Sequence, residues 1–463
     1  MVMDLKVQHY RGQDYLTFWA GEDDGTRGIG SYYMLNSSYE VAHVVSAANG
    51  HDGDVHEFRI TDHGTALLTI YEIVPADLTP VGGPADGWIY DGLFQEIDID
   101  TGALLFEWRA RDHHAIDESY YPLDEDAGTP TAPFDYFHIN SVDKHPATGN
   151  YLVSSRYLHT VTCVAPTGDI LWILGGKRNM FNDDGVATSF TWQHDARWLS
   201  STEISLLDNG AHEHLRTSDH SRGYRIALDL DPAARSASVT AVYHAPGRFS
   251  AHSQGNLQRL PASQNVFVGW GKAAAFTEFD ADGGEVLCHA HYAPRVFFWF
   301  GWVKSYRVFK ASRWTGRPTL PPDVAVDDAA RMVYVSWNGA TDVAGWVLQA
   351  HAEGDSAGDS KGSFRTVQYV PKRGFETALD VAGVDGYLRV VAVGFDGEEM
   401  ESGVSQVFTV SHGTSTDTLG AVDEPLQHAL VGACALGAVL AACWRSRRMR
   451  AWCHSLRARI QSF

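Results

Sequence analysis

Three segments of this chain repeat one local pattern: a short strand, an Asp- or Thr-Gly turn, and a second strand ending in bulky apolar residues. They run from Ile97 to Trp108, from Val164 to Trp172 and from Phe279 to Leu287. Gly takes the left-handed backbone that such turns need, and Asp or Thr hydrogen-bonds its own backbone there. A second pattern, a polar turn leading into an apolar strand, recurs at Gly64 to Ile70, Gly149 to Ser154 and Ser263 to Gly271. Units of roughly 50 to 65 residues built from four short strands are the signature of a β-propeller. A single sandwich needs fewer strands than residues 1 to 310 supply. The expectation is therefore an all-β protein in which residues 1–312 form a β-propeller. Its first blade is expected to be incomplete or irregular, and Val7 to Tyr10 and Asp14 to Trp19 read as strands already inside a repeat.

The character changes around Arg313 to Pro318 and Leu320 to Pro322. Beyond it, Met332 to Trp337, Gly345 to Gln349 and Tyr387 to Val393 alternate apolar and polar residues. That spacing predicts an immunoglobulin or fibronectin III-like sandwich over 323–411, read as a structural or adhesive module. A polar linker follows at 412–425. Ala429 to Trp444 then carries no charge, and Arg445, Arg447, Arg448 and Arg450 come directly after it. Sixteen helical residues rise about 24 Å, and extension back to Leu426 brings the run toward a bilayer core of about 30 Å. The expectation is a single-pass transmembrane helix over 426–444 with a basic cytoplasmic tail at 445–463, which puts the propeller in a lumenal or extracellular location. The first residues hold no apolar stretch that could act as a signal peptide. The expectation is therefore a chain lacking its native start, with tail anchoring of a cytosolic body as the alternative. Asn36-Ser-Ser38 is then a glycosylation acceptor.

Composition excludes some classes. A formal net charge of −21 offers no broad basic surface for a nucleic-acid backbone. No CxxC and no His/Cys spacing of a structural zinc site occurs, so no metal is expected. Of five cysteines, Cys163 and Cys288 alone precede the C-terminal region, and their pairing is open. No Gly-rich phosphate loop sits between a strand and a helix, so no nucleotide cofactor is expected.

Histidines recur in corresponding surroundings: His56 in Val55 to Thr61, His138 before Ile139 and Asn140, His194 in Trp192 to Arg197, and His252 in Ala251 to Gly255. In a propeller the innermost strand of each blade lines the central channel, so such positions converge. One His there is ordinarily a satisfied core residue; four in register point to a site. His138 and Asn140 lie two apart in a period-2 element and are expected on one face. Arg156 arrives on the next strand. An imidazole, an amide and a guanidinium on one face suit an oxyanion, with the Arg forking onto two oxygens.

The segments Asp135 to Val142, Ser154 to Arg156, Thr167 to Gly176 and Phe190 to Ala196 resemble the arylsulfotransferase (arylsulfate sulfotransferase) family, and with a sandwich following, its fungal branch. The resemblance spans roughly residues 5 to 410. It implies a six-bladed propeller that moves a sulfuryl group from one phenolic ester to another phenol through a transient sulfohistidine, without a nucleotide donor. His138, Asn140 and Arg156 match the sulfate-binding trio, His194 the histidine that accepts sulfate, and His56 an earlier channel histidine. His252 has no clear counterpart and is read as substrate-binding. This chain departs from the bacterial Gln-His-Thr-Ala motif at Asp195, which places a carboxylate next to His194 in sequence. The ligands implied are a small phenolic substrate and a sulfate ester donor. Two other classes stay open. One is a propeller enzyme of different chemistry, such as a lyase or cofactor-free cyclase; the other is a non-catalytic, membrane-anchored binding protein.

Overall fold

A computed structural model describes residues 1–183, 185–213, 215–294, 305–311, 313–351 and 364–410. Strand Gln13–Asp23 buries Tyr15, Thr17 and Trp19, every second residue, as a pleat with one packed face requires. Tyr151–Ser155 and Thr160–Val164 are instead buried on both faces. Residues 2–291 form five four-stranded antiparallel sheets, each a meander in chain order. The first joins Val2–Tyr10, Gln13–Asp23, Gly28–Leu35 and Val41–Val45, and the second Phe58–Ile60, Thr65–Ala76, Gly87–Asp98 and Leu104–Arg109. The third joins Ile139–Lys144, Tyr151–Ser155, Thr160–Val164 and Ile170–Gly175. His194–Ser200, Glu203–Asp208, Arg222–Asp229 and Ser236–His244 make the fourth, and Asn256–Arg259, Val266–Gly269, Ala275–Phe279 and Val286–His291 the fifth.

Each first strand is innermost. Val2–Tyr10 touches Phe58–Ile60, Ile139–Lys144 touches His194–Ser200, and His194–Ser200 touches Asn256–Arg259. The arrangement is propeller-like, with one correction to expectation. The first sheet has all four strands, and its register is irregular between Met3 and Lys6 and between Met34 and Leu35. The described residues supply five four-stranded sheets, where six blades were expected. Between the fifth sheet and the first runs an extended strap, Ser305 to Lys310. Side-chain amides replace strand pairing there: Asn256 bonds both backbone groups of Val308, and Gln258 both of Lys310. The strap reaches the first sheet through Lys6, whose ammonium lies 5.3 Å over the Phe309 ring.

Beyond the strap, Asp323–Asp327, Met332–Ser336 and Glu376–Asp380 form one sheet; Phe364–Pro371, Val343–His351, Tyr387–Gly394 and Glu399–Val404 form a second, with Phe408–Thr409 added. Val333, Val335, Trp346, Leu348, Leu379 and Val390 share the core between them. Tyr39 ties this module to the first sheet by donating to the carbonyl of Gly339 at 2.6 Å. Cys163 is buried in the third sheet, Cys288 is exposed in the fifth, and both are free. The expected linker at 412–425, helix at 426–444 and tail at 445–463 lie outside the described residues. Among the described residues no helix is long and apolar enough to cross a membrane.

Candidate active site

His56, His138, Arg156 and His194 line one cavity of about 100 Å³, with Tyr306 and Gln254 beside them. Three of them sit at one end of the inner strands, and Arg156 sits at the same end of a second strand. His56 lies in the turn before Phe58–Ile60, His138 directly before Ile139–Lys144, and His194 opens His194–Ser200. Arg156 follows Tyr151–Ser155, and its backbone N–H donates to the carbonyl of His138 at 2.9 Å. The rings of His56 and His138 meet edge to face at 4.9 Å.

Two residues are placed differently from expectation. His138 has φ +51°, a left-handed value that breaks the period-2 register before the strand begins. Asn140 therefore does not share its face. The Asn140 amide is fully buried and donates to the carbonyl of Gln193 at 2.6 Å, away from the cavity lining. His252 enters through its backbone: its carbonyl accepts Arg156 Nη2 at 2.9 Å, and the lining comes from its neighbours Ser253 and Gln254.

Arg156 is a cation with spare hydrogen-bonding capacity. It is 6% exposed, Nη1 reaches the Tyr157 hydroxyl at 3.3 Å, and Nε has no partner among the described residues. The neighbouring carboxylates Asp54 and Asp135 are engaged by His56 and His138. A buried guanidinium with an open N–H is a costly arrangement that an anionic ligand relieves.

Sequence reading missed the groups that fix the imidazoles. Asp54 Oδ2 lies 2.6 Å from His56 Nδ1, and Asp135 Oδ2 lies 2.5 Å from His138 Nδ1. The signal was available as a carboxylate two or three residues before each His. His194 Nδ1 donates to Asn209 Oδ1 at 2.7 Å, because the Asn209 amide nitrogen is committed to the carbonyls of Ala251 and Gln254. His194 Nε2 thus carries the lone pair and accepts the N–H of Gln254 at 3.1 Å. Burial, then the charge of Arg156, pushes His194 well below the usual imidazole range, so it is neutral at neutral pH. Burial does the same to His138, aided by His56 and Arg156. Asp54 is held below the usual carboxylate range: burial opposes this, but the charge and hydrogen bonds of His56 and the Gly28 N–H outweigh it.

Asp195, adjacent to His194 in sequence, points elsewhere. Its φ of +58° turns the carboxylate toward Arg197 Nη2 at 2.7 Å and Arg307 Nε at 3.3 Å. Both guanidiniums also bind Glu57, at 2.6 and 3.1 Å, and Lys6 lies 2.6 Å from Asp4. These charges are buried on the axis next to the cavity, where they neutralise one another. Asp195 is therefore compensated, and its charge does not oppose an anion at His194.

Comparison with known proteins bears on this geometry. The model of the family described as arylsulfotransferase (ASST) matches residues 6–291, which takes in the five sheets from Lys6 onward and His56, His138, Arg156 and His194. The chain belongs to the arylsulfotransferase family. Membership carries an arylsulfotransferase-like function, with phenolic substrates and a sulfate donor as its ligand classes. No curated protein matches the chain. Solved structures similar to it include the Cps50 (Swd1) β-propeller domain from Myceliophteria thermophila, at 10% identity and TM-score 0.36, covering 63% of this chain and 88% of that one. A putative 6-phosphogluconolactonase from Bacteroides uniformis has 11% identity and TM-score 0.37, with 86% and 98% covered. A periplasmic gluconolactonase from Pseudomonas aeruginosa has 12% identity and TM-score 0.35, with 86% and 99% covered. At those scores the likenesses carry no argument about this arylsulfotransferase relative.

Proposed function

We propose that the protein transfers a sulfuryl group between phenolic compounds through a sulfohistidine on His194. Arg156 carries the reading: a buried guanidinium with an open Nε, on a cavity lined by three imidazoles. In the first half-reaction the N–H of Gln254 gives way and the His194 Nε2 lone pair attacks sulfur. The S–N bond forms as the bond from sulfur to the phenolic oxygen breaks. The departing phenolate takes a proton from His56, whose Nδ1 is held by Asp54 at 2.6 Å. Arg156 and His138 hold the sulfuryl oxygens as charge redistributes. The second half-reaction runs in reverse: His56 takes the proton of the acceptor phenol, whose oxygen attacks sulfur and releases His194.

The test is mass spectrometry of peptides after brief incubation with an aryl sulfate. Sulfation of the His194 peptide supports the reading. Aryl sulfate left intact, with no sulfated peptide, refutes it. The two-sheet module after the propeller favours a fungal-type member and is proposed to be immunoglobulin or fibronectin III-like. The charge-free run ending at Trp444, with arginines after it, supports anchoring through 426–444 with the sheets outside the cytosol and Asn36 open to glycosylation.

A further inference from the structure

Asp135 holds His138 through two different contacts. Oδ1 accepts the backbone N–H of His138 at 3.1 Å, and Oδ2 faces the ring Nδ1 at 2.5 Å. When the pair holds one proton, it bridges Oδ2 and Nδ1, and Nε2 carries a lone pair. A lone pair cannot bind a sulfuryl oxygen, because both are acceptors. When the pair holds a second proton, Nε2 carries an N–H and becomes a donor. This is so whether the bridging proton resides on the carboxyl or on the ring.

We propose that Asp135 is a positioning residue that couples anion capture to proton uptake: a sulfate monoester is held by His138 only when the Asp135–His138 pair carries its second proton. The inference rests on reading the cavity as a sulfuryl site, and it adds a condition that reading does not contain.

The contrast with Asp54 shows why the Asp135 carboxylate, and not that of Asp54, is left poised to share a proton. Asp54 accepts four donors: the Gly28 N–H at 2.6 Å, the His56 N–H at 2.9 Å, His56 Nδ1 at 2.6 Å and the Thr69 hydroxyl at 3.1 Å. Four donors stabilise a buried carboxylate enough to keep it ionised. Among the described residues Asp135 makes two such contacts, both with His138. Burial pushes its carboxyl up to about 7, although the charges of His56 and Arg156 and the His138 N–H pull the other way. The groups facing it are Asp54, His56, Tyr71, Tyr90, Tyr121, Arg156 and Tyr157. The tyrosine hydroxyls named are all raised by burial and stay neutral at that pH. A pair poised near neutrality gains its second proton when an anion arrives, since the anion's charge stabilises it.

The probe is inorganic sulfate, a dianion throughout this pH range, titrated calorimetrically into the full-length protein in buffers of different ionisation enthalpy. With one linked proton, wild-type Kd weakens about tenfold per pH unit above about 7, with about one proton taken up per sulfate at about pH 8 and little at about pH 6. In Asp135→Asn, Oδ1 stays on the backbone N–H because an amide nitrogen does not accept. Nδ2–H then donates to Nδ1 and fixes Nε2–H. That variant loses the pH dependence contributed by this pair, and its sulfate Kd at about pH 8 matches that at about pH 6. A wild-type Kd that is flat with pH overturns the inference without any variant, as does full proton uptake persisting in Asp135→Asn. Proton-linked sulfate binding without sulfuryl transfer from an aryl sulfate leaves the inference standing and removes the transferase reading. No sulfate binding at any pH overturns both.

Discussion

Replacing Arg156 by Lys isolates the fork from the charge. Arg156 spends Nη2 on the His252 carbonyl at 2.9 Å and Nη1 on the Tyr157 hydroxyl at 3.3 Å, leaving Nε without a partner among the described residues. Its guanidinium also lies 5.3 Å over the Tyr157 ring. A lysine ammonium is a single point with three donors, so reaching an anion means giving up at least one of these partners. The loss is at least one hydrogen bond to a charged group, about 1.5–3 kcal/mol. If the bond is made in the transition state, kcat/KM for an aryl sulfate falls about 10- to 150-fold, since 1.36 kcal/mol is tenfold in rate. Initial rates with a chromogenic aryl sulfate and a fixed phenol acceptor measure this, with thermal unfolding run alongside to remove any stability share. An Arg156→Lys enzyme within about threefold of wild type in kcat/KM refutes the argument, because charge alone then suffices and the planar fork contributes nothing.

His194→Ala abolishes sulfuryl transfer and the sulfated peptide while sulfate still binds; residual turnover at the wild-type level means the covalent step lies elsewhere. Asn209→Ala frees the His194 tautomer and lowers kcat at least about tenfold with a smaller change in sulfate Kd; equal changes in both would show that Asn209 acts only on binding. Glu57→Gln removes one partner of Arg197 and Arg307 from a fully buried ion cluster and costs about 3–5 kcal/mol in denaturant unfolding. A cost below about 1 kcal/mol, the range of an exposed pair, would show that the cluster is solvated. For topology, the proposed anchoring predicts that the five-sheet body resists added protease in intact microsomes; complete digestion there supports a cytosolic body.

The Asp- and Thr-Gly turns made the strand-rich repeat legible, because a turn signal is local and its chemistry is fixed by two or three residues. Side-chain direction at the site was harder to read. His138, Trp192 and Asp195 have φ values of +51°, +55° and +58°, and each left-handed residue resets the alternation that sequence spacing assumes. That is why Asn140 turns toward Gln193 and Asp195 toward Arg197. The Asp54–His56 and Asp135–His138 pairs are close in sequence and could have been read from spacing. Asn209, Tyr306 and Arg307 could not: their partners are His194, Asn140 and Glu57, the first 15 residues away and the last 250. Where the resemblance implied a sixth blade, the described residues after the fifth sheet include a strap whose pairing runs through Asn256 and Gln258 side chains, which leave no period-2 trace.

The buried ion cluster also governs traffic. Glu57, Asp195, Arg197 and Arg307 occupy the axis beside the cavity, and Arg197 faces a second pocket lined with Lys6, Arg59 and Lys310. With interlocked charges between the two openings, a phenol has no through-passage. The spent donor must back out of the mouth by which the acceptor enters. Under the proposed sulfohistidine mechanism the two aromatic molecules take turns at one doorway, and the protein waits between visits in its sulfated form. Double-reciprocal plots at several acceptor concentrations should be parallel. A large excess of acceptor should slow turnover by occupying the unsulfated enzyme, and more donor should relieve that inhibition.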